Sequence, residues 1–282
     1  MKLIAIDLDG TLLTSQVKPS EEGVAEIAKM LKSGKHKVTI CTGRASYDVR
    51  NLVGLDNLPM ISFNGASVID GEGRLLNETP IERKIAEEAV QYLHELDVYF
   101  EIFCPDAIYS PSRGEDKLRA EMDVLLSSNP EIDRDLLWKS AMIQFVQFGI
   151  RQVDHPQQVL QTGSSVYKLL VFTYNERKLQ AIQEHFGDHP YVHTTSSADH
   201  TLEIISTATD KGKALKFLAD HYRIPLRDTV VIGDSYNDIS MFQIAGTRIA
   251  MENAVDEVKK LSSAVTRSNN EHGVAYALRH LL

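Results

Sequence analysis

The stretch KLIAIDLDGTLLTS, residues 2–15, decides how the chain is read. Leu3, Ile4, Ala5 and Ile6 form an apolar run with the length of a buried strand, and it ends in Asp7 and Asp9 beside Gly10. Asp and Gly are common turn residues, so a tight turn satisfies this pattern taken alone. The other reading is that a buried strand delivers two carboxylates to a place that holds a cation.

Outward from this stretch, strand-like and helix-like segments alternate. SEEGVAEIAKMLKSG predicts an amphipathic helix with Ser20 as its N-cap and Gly34 closing it. KVTIC (37–41) reads as a strand, ASYDVRNLV as a helix and PMISF (59–63) as a third strand; ASVID and RLLNE flank the turn Gly71-Glu72-Gly73 as a hairpin. From residue 82 onward, long helical patterns (ERKIAEEAVQYLHEL, DKLRAEMDVLL) alternate with the strands VYFEIFC, MIQFVQFGI and YKLLVFTY. After residue 206 the first rhythm returns, with a helix over DKGKALKFLADHY, the strand TVVIG (229–233), a helix over SYNDISMFQIAG, the strand TRIAM and a C-terminal helix. The pattern predicts an α/β fold: a parallel-sheet core formed by 1–82 and 204–282, interrupted by an α+β domain at 83–203.

The bulk numbers restrict the function. With 282 residues, 43% hydrophobic and 24% charged, the chain is long enough for two domains with cores of their own. Thirty basic and 39 acidic residues give a formal charge of -9, which argues against a broad surface for nucleic acid or anionic membrane. The first apolar run is cut at Asp7, too short for a secretory signal, and no membrane-span pattern follows; a cytoplasmic chain is expected. Cys41 and Cys104 fit a reducing compartment, with Cys41 read as a small buried hydrophobe. The histidines include no HExxH pattern, and a GxxxxGK[ST] phosphate loop is absent.

Ligands of open parallel sheets bind at the carboxyl ends of the strands. Here LIAI runs into Asp7, VTIC into Thr42-Gly43-Arg44, and VVIG into Asp234, with Asn237 and Asp238 following. If these strands are neighbours, Asp7, Asp9, Asp234 and Asp238 converge on one crevice. Four carboxylates cannot stay ionised there without a cation, and an all-oxygen set favours Mg²⁺ shared with a substrate phosphate. Asp210 is a good N-cap, which puts Lys211 in a first helical turn, where the macrodipole disfavours a cation unless an anion is bound nearby. Each signal has an ordinary alternative: a turn for DLDG, a solvated lysine, a turn and N-cap for GDSYND, a hairpin for Asn64-Gly65. The order and placement of all of them together favour the phosphate site.

On these residues the chain resembles the haloacid dehalogenase-like hydrolase superfamily, and within it the Cof-type phosphatases. The matched motifs are DLDGT (7–11), the segment TGR from Thr42, Lys211, and GDSYND (233–238), in that order over the full length. The resemblance implies a Rossmann-like core with an inserted α/β cap domain for substrate specificity. It implies Asp7 as a nucleophile forming an aspartyl phosphate, and Asp9 as general acid and then base. It also implies Mg²⁺ on Asp7, the Asp9 carbonyl and Asp234, with Asp238 a further ligand or a holder of metal waters. Thr42, Gly43, Lys211 and Asn237 would bind the phosphoryl group, and Arg44 and Asn64 the substrate. One departure is EIISTATDKG, where Ser206 stands in place of a frequent proline and Asp210 in place of a small residue before the lysine.

The implied activity is hydrolysis of small phosphomonoesters, sugar phosphates first and phosphorylated cofactors such as pyridoxal phosphate or flavin mononucleotide next. A phosphomutase using the same aspartyl phosphate fits the motifs equally. A non-enzymatic phospho-receiver module fits less well, because it lacks a carboxylate at the position of Asp9 and an inserted domain. Trp138, Tyr99, Tyr109 and Arg113 are candidate substrate contacts that fit core or surface roles as well. Oligomeric state is not encoded in any motif.

Overall fold

The apolar run after Met1 becomes strand β1 (Leu3–Ile6), buried along its whole length. The structure is a computed structural model and describes residues 1–195 and 199–282. In chain order, β2 (Lys37–Cys41), β3 (Met60–Ser62), β4 (Ser67–Ile69) and β5 (Leu75–Glu78) follow. Next come β6 (Tyr99–Phe103), β7 (Ile108–Pro111), β8 (Ile150–Val153), β9 (Lys168–Phe172), β10 (Val192–Thr195) and β11 (Thr201–Ser206). The last are β12 (Thr229–Gly233), β13 (Thr247–Ala250) and β14 (Ala264–Val265).

Among the described residues these strands make two sheets, and the chain divides into two compact units, 1–79 with 209–282, and 80–208. The first sheet has the order β14-β13-β12-β1-β2-β3-β4-β5. It is parallel from β14 to β3, and β4 and β5 complete it as antiparallel hairpin strands. Continuous apolar runs such as LIAI and VVI suit this central position, buried on both faces. Ser20 caps the helix Glu21–Ser33 by accepting from the Gly23 N–H, and Gly34 closes it in the left-handed region, φ +64°. β1 lies between β12 and β2, so the strand ends carrying Asp7, Thr42 and Asp234 are neighbours.

The second unit holds the order β10-β11-β9-β6-β7-β8. Phe100, Ile102, Leu169, Val171, Leu202 and Ile204 pack one face of it against the helices Arg83–Glu95 and Glu176–Gly187. The alternate residues Tyr99, Glu101, Lys168 and Glu203 occupy the other face; Lys168 Nζ lies 2.8 Å from Glu203 Oε1. Glu101 accepts from the Tyr99 hydroxyl at 2.6 Å and from Gln147 Nε2 at 3.1 Å. Tyr99 is thus committed to an internal network. Trp138 stacks on Phe145 and carries the Arg119 guanidinium 3.9 Å from its ring centre. The Tyr109 hydroxyl donates to Asp106, and the exposed Arg113 lies 3.8 Å from Asp116.

Burial pushes Glu101 up to about 7, against the lowering effect of Tyr99, Gln147 and Lys168. A carboxyl raised in the folded state stabilises the fold fully below its unfolded value near 4.5, and this contribution is lost as pH rises through about 7. Glu101→Gln is therefore expected to gain stability relative to the parent between pH 4.5 and 8, by at most about 3 kcal/mol. Thermal unfolding of both proteins across that range checks it.

Three expectations change. The boundary at 203/204 falls inside β11, whose residues pair with β9 and β10, so the division lies after Ala208. An apolar strand reads the same whichever sheet it joins. The segment MIQFVQFGI is not a strand: the helix Arg134–Met142 runs into it, a tight turn spans Ile143–Phe145, and only Ile150 belongs to β8. Phe145 packs on Tyr99 and Gln147 bonds Glu101, so its alternating pattern reflects contact with the sheet face rather than membership of the sheet. The third is that SYNDISMFQIAG is one tight turn, Tyr236–Asp238, followed by a short helix, Ile239–Ile244.

Candidate active site

The site forms at the carboxyl ends of β12, β1 and β2. Asp7 is still held in the ladder, its N–H donating to the Ile232 carbonyl at 2.9 Å, and it is buried. The chain then turns through Gly10 at φ +74°, where a Cβ would sit 2.3 Å from Asp234 Oδ2. Only glycine allows both the conformation and the approach. Thr11 donates its hydroxyl to Asp234 Oδ1 at 2.7 Å, and Asn253 donates to the Gly10 carbonyl at 2.8 Å. The turn is thereby fixed against the strand that supplies Asp234.

Asp238 reaches back to the end of β12. Its Oδ2 accepts from the N–H groups of Asp234 and Ser235 at 2.9 and 3.1 Å, and Ser235 reciprocates as a capping box. Asp210 caps the helix Lys211–His221 by accepting from the Lys213 N–H at 2.8 Å. Lys211 is consequently placed in the first turn and is almost wholly buried. Its ammonium lies 2.6 Å from Asp7 Oδ1 and 2.6 Å from Asp238 Oδ1.

Asp7, Asp234 and Asp238 present carboxylate oxygens within 4.8 Å of one another. Burial, reinforced by Asp238, holds Asp7 well above the usual carboxylate range even though Lys211 opposes it. Burial also lifts Asp234, to about 6, with Asp238 adding to it against the Thr11 hydrogen bond. Burial disfavours the Lys211 charge, but Asp238 and Asp7 outweigh it and hold the lysine above its ordinary value. One ammonium therefore faces three acids. This hard, all-oxygen, electron-rich set fits a small divalent cation, which would relieve the repulsion that raises Asp7 and Asp234.

The four acids do not all converge. The Asp9 carboxylate is about half exposed and is gripped by Arg44, from Nε at 2.9 and 3.1 Å and from Nη2 at 2.8 Å. A solvated turn residue next to a guanidinium takes that partner in preference to a crowd of like charges, and the close cluster is three acids, not four. Thr42 is buried, and its hydroxyl accepts from the Arg44 N–H at 3.1 Å. Gly43 links these two residues. Asn64 occupies the left-handed region at φ 55°, at the turn joining β3 and β4, and its Oδ1 accepts from Asn237 Nδ2 at 3.2 Å. The structure thus brings Asn64 to the GDSYND turn. Cys41 is fully buried, and burial pushes its thiol far up, as an inert hydrophobe requires.

Sequence reading missed Thr11, Asn253 and Asp48. Thr11 follows the DLDG turn directly, and a hydroxyl there was a usable signal. Asp48 stands four residues after Arg44, a spacing for an ion pair, and accepts from Arg44 Nη1 at 2.7 Å. Asn253 had no local signal, since its partners are the distant Gly10 and Asn269.

A family model described as haloacid dehalogenase-like hydrolase matches residues 4–278. The chain is 45% identical, over all its length and 98% of the relative, to 5-amino-6-(5-phospho-D-ribitylamino)uracil phosphatase YwtE of Bacillus subtilis. It is 38% identical to the phosphatase YwpJ of the same organism, with both chains covered in full. Among solved structures, a haloacid dehalogenase-like hydrolase from B. subtilis superposes with a TM-score of 0.83 at 38% identity, covering 100% of both chains. A Thermotoga maritima protein gives 0.78 at 30% identity, covering 99% of this chain and 96% of that one. With this sheet order, these strand-end residues and matches of such extent, the chain belongs to the haloacid dehalogenase-like hydrolases and is a phosphoric monoester hydrolase.

Proposed function

We propose that this protein is a Mg²⁺-dependent phosphatase of small phosphomonoesters that works through a phosphoaspartate on Asp7. The observation that supports this most is the buried Lys211 ammonium, 2.6 Å from both Asp7 and Asp238 at the ends of parallel strands. Phosphoryl transfer depends on in-line positioning and on fixed positive charge beside the transferring group, and a cation already desolvated there costs no reorganisation. Asp7, Asp234 and the Asp9 carbonyl would hold Mg²⁺, with Asp238 a further ligand or a holder of its waters. When bound, the ion neutralises the acids and the phosphoryl oxygens.

The Asp7 carboxylate attacks phosphorus while the ester P–O bond breaks, and Asp9 gives a proton to the departing oxygen. Asp9 then takes a proton from water, whose oxygen attacks phosphorus and releases phosphate and the Asp7 carboxylate. Thr42, Gly43, Lys211 and Asn237 bind the phosphoryl group, and Arg44 and Asn64 contact the ester.

For the substrate, relatives at 45% and 28% identity are named for 5-amino-6-(5-phospho-D-ribitylamino)uracil. A phosphate on the terminal carbon of a ribityl chain is a sugar-phosphate-like ester, and we assign this class to the protein ahead of hexose phosphates. Phosphate release from that compound, a hexose 6-phosphate, flavin mononucleotide and pyridoxal phosphate tests it. The ribityl ester is expected to give the highest kcat/KM, by roughly tenfold or more. EDTA is expected to remove activity and Mg²⁺ to restore it. Full activity in EDTA would overturn the metal reading, and conversion of a hexose 1-phosphate to its 6-phosphate would make the protein a mutase.

A further inference from the structure

We infer that Asp48 is a positioning residue for the reaction, setting through Arg44 where Asp9 rests and how it returns. This builds on the acid/base reading of Asp9. Arg44 lies just before the helix Ser46–Val53, and Asp48 in the first turn of that helix, where the macrodipole favours its negative charge. The Asp48 side chain is 9% exposed, that of Arg44 26% and that of Asp9 53%, so the charge pairs run from a buried anchor to a solvated end.

A guanidinium is a rigid plane on a flexible stem, so one bond at its edge leaves it free to swing. Here Nη1 is fixed by Asp48 Oδ2 at 2.7 Å, and the backbone is fixed as well: the Arg44 N–H donates to the Thr42 hydroxyl and the Arg44 carbonyl accepts from the Phe63 N–H at 3.0 Å. The Nε–Nη2 edge is left as a fork of set position, and both Asp9 oxygens sit in it. Among the described residues this fork is the hydrogen-bonding partner of the Asp9 carboxylate.

The N–H groups of the fork engage both Asp9 oxygens. Proton delivery to a departing oxygen therefore requires Asp9 to leave the fork, and the base step leaves it ready to return. Asp48 shares the guanidinium charge and keeps Arg44 in place during this exchange, so the arginine does not follow Asp9 towards the other acids. Asp48 touches neither substrate nor reacting atoms; through Arg44 it also bears on the ester contact, a loss shared by every ester, and beyond that its effect falls on steps that move a proton through Asp9.

An alkyl phosphate expels an alkoxide that needs a proton, whereas p-nitrophenyl phosphate expels a stable phenolate. The parameter kcat/KM reports events up to phosphoenzyme formation, so the two esters separate proton delivery from all else. Asp48→Ala is expected to lower kcat/KM roughly tenfold more on an alkyl phosphate than on the aryl ester, short of the about 10²–10⁴-fold of a lost general acid. Asp48→Asn, which keeps the shape and an acceptor oxygen, is expected to show a smaller split of the same sign, and serves alone if the alanine variant does not fold. Equal losses on both esters would make Asp48 merely structural and overturn the inference. Asp9→Asn is measured alongside. If it splits the esters and the Asp48 variants do not, the role of Asp48 alone falls; if it shows no split, the acid/base reading falls and takes this inference with it.

Discussion

Replacing Asp7 by Asn is expected to reduce turnover of every phosphomonoester by more than about 10⁴-fold, the scale on which losing a covalent nucleophile acts. The amide has nearly the shape of the carboxylate, and its oxygen can still accept from Lys211, so the fold has no reason to change. In metal-free buffer the variant is expected to melt at or above the parent temperature. Asp7 sits buried with Asp234 and Asp238, oxygens within 4.8 Å, and a neutral group removes one of three repelling charges. Phosphate release and thermal unfolding, run on the same preparation, check both halves. A variant retaining a tenth of parental activity would exclude Asp7 as the attacking group.

Lys211→Met is expected to abolish activity as well, with the opposite effect on stability. Methionine fills a similar volume but leaves Asp7 and Asp238 buried without their shared ammonium at 2.6 Å. Removing one partner of a buried charge pair costs about 3–5 kcal/mol, because the remaining charges stay desolvated. The melting temperature is therefore expected to fall sharply in EDTA. It is expected to recover in part with Mg²⁺, since a divalent ion can neutralise the same acids, while turnover stays lost because the ion does not replace the ammonium beside the phosphoryl group. The contrast between the two variants separates a residue that performs the chemistry from one that also holds the acids together.

Much of this arrangement was legible because it is encoded locally. Apolar runs that stop at Asp7, Thr42 and Asp234 mark strand ends, and Asp210 before Lys211 marks a helix start; backbone periodicity alone puts these residues at the mouth of a parallel sheet. What was not legible depends on the choice of side-chain partner. Nothing in DLDGT says that Asp9 turns to Arg44 rather than to Asp7, since both lie within reach of a short flexible turn. The Arg44–Asp48 pair had the right spacing but gains meaning only from Asp9 at the other edge of the guanidinium. The segment 142–150 misled for a different reason: alternation reports which residues meet an apolar surface, and Phe145 meets a sheet without joining it.

The order of the core strands has a consequence for how the protein is made. β1 is a central strand, yet one of its two neighbours, β12, belongs to the last quarter of the chain, and the hydrogen bond from Thr11 to Asp234 joins residues 223 apart. At about 5–20 residues per second, a ribosome takes on the order of 10 to 45 s to supply that partner. Throughout this interval the nascent chain carries LIAI as an open edge, the kind of apolar template that recruits wrong strands. Yield from cells is accordingly expected to be more sensitive to chaperone supply and translation speed than the stability of the finished molecule suggests.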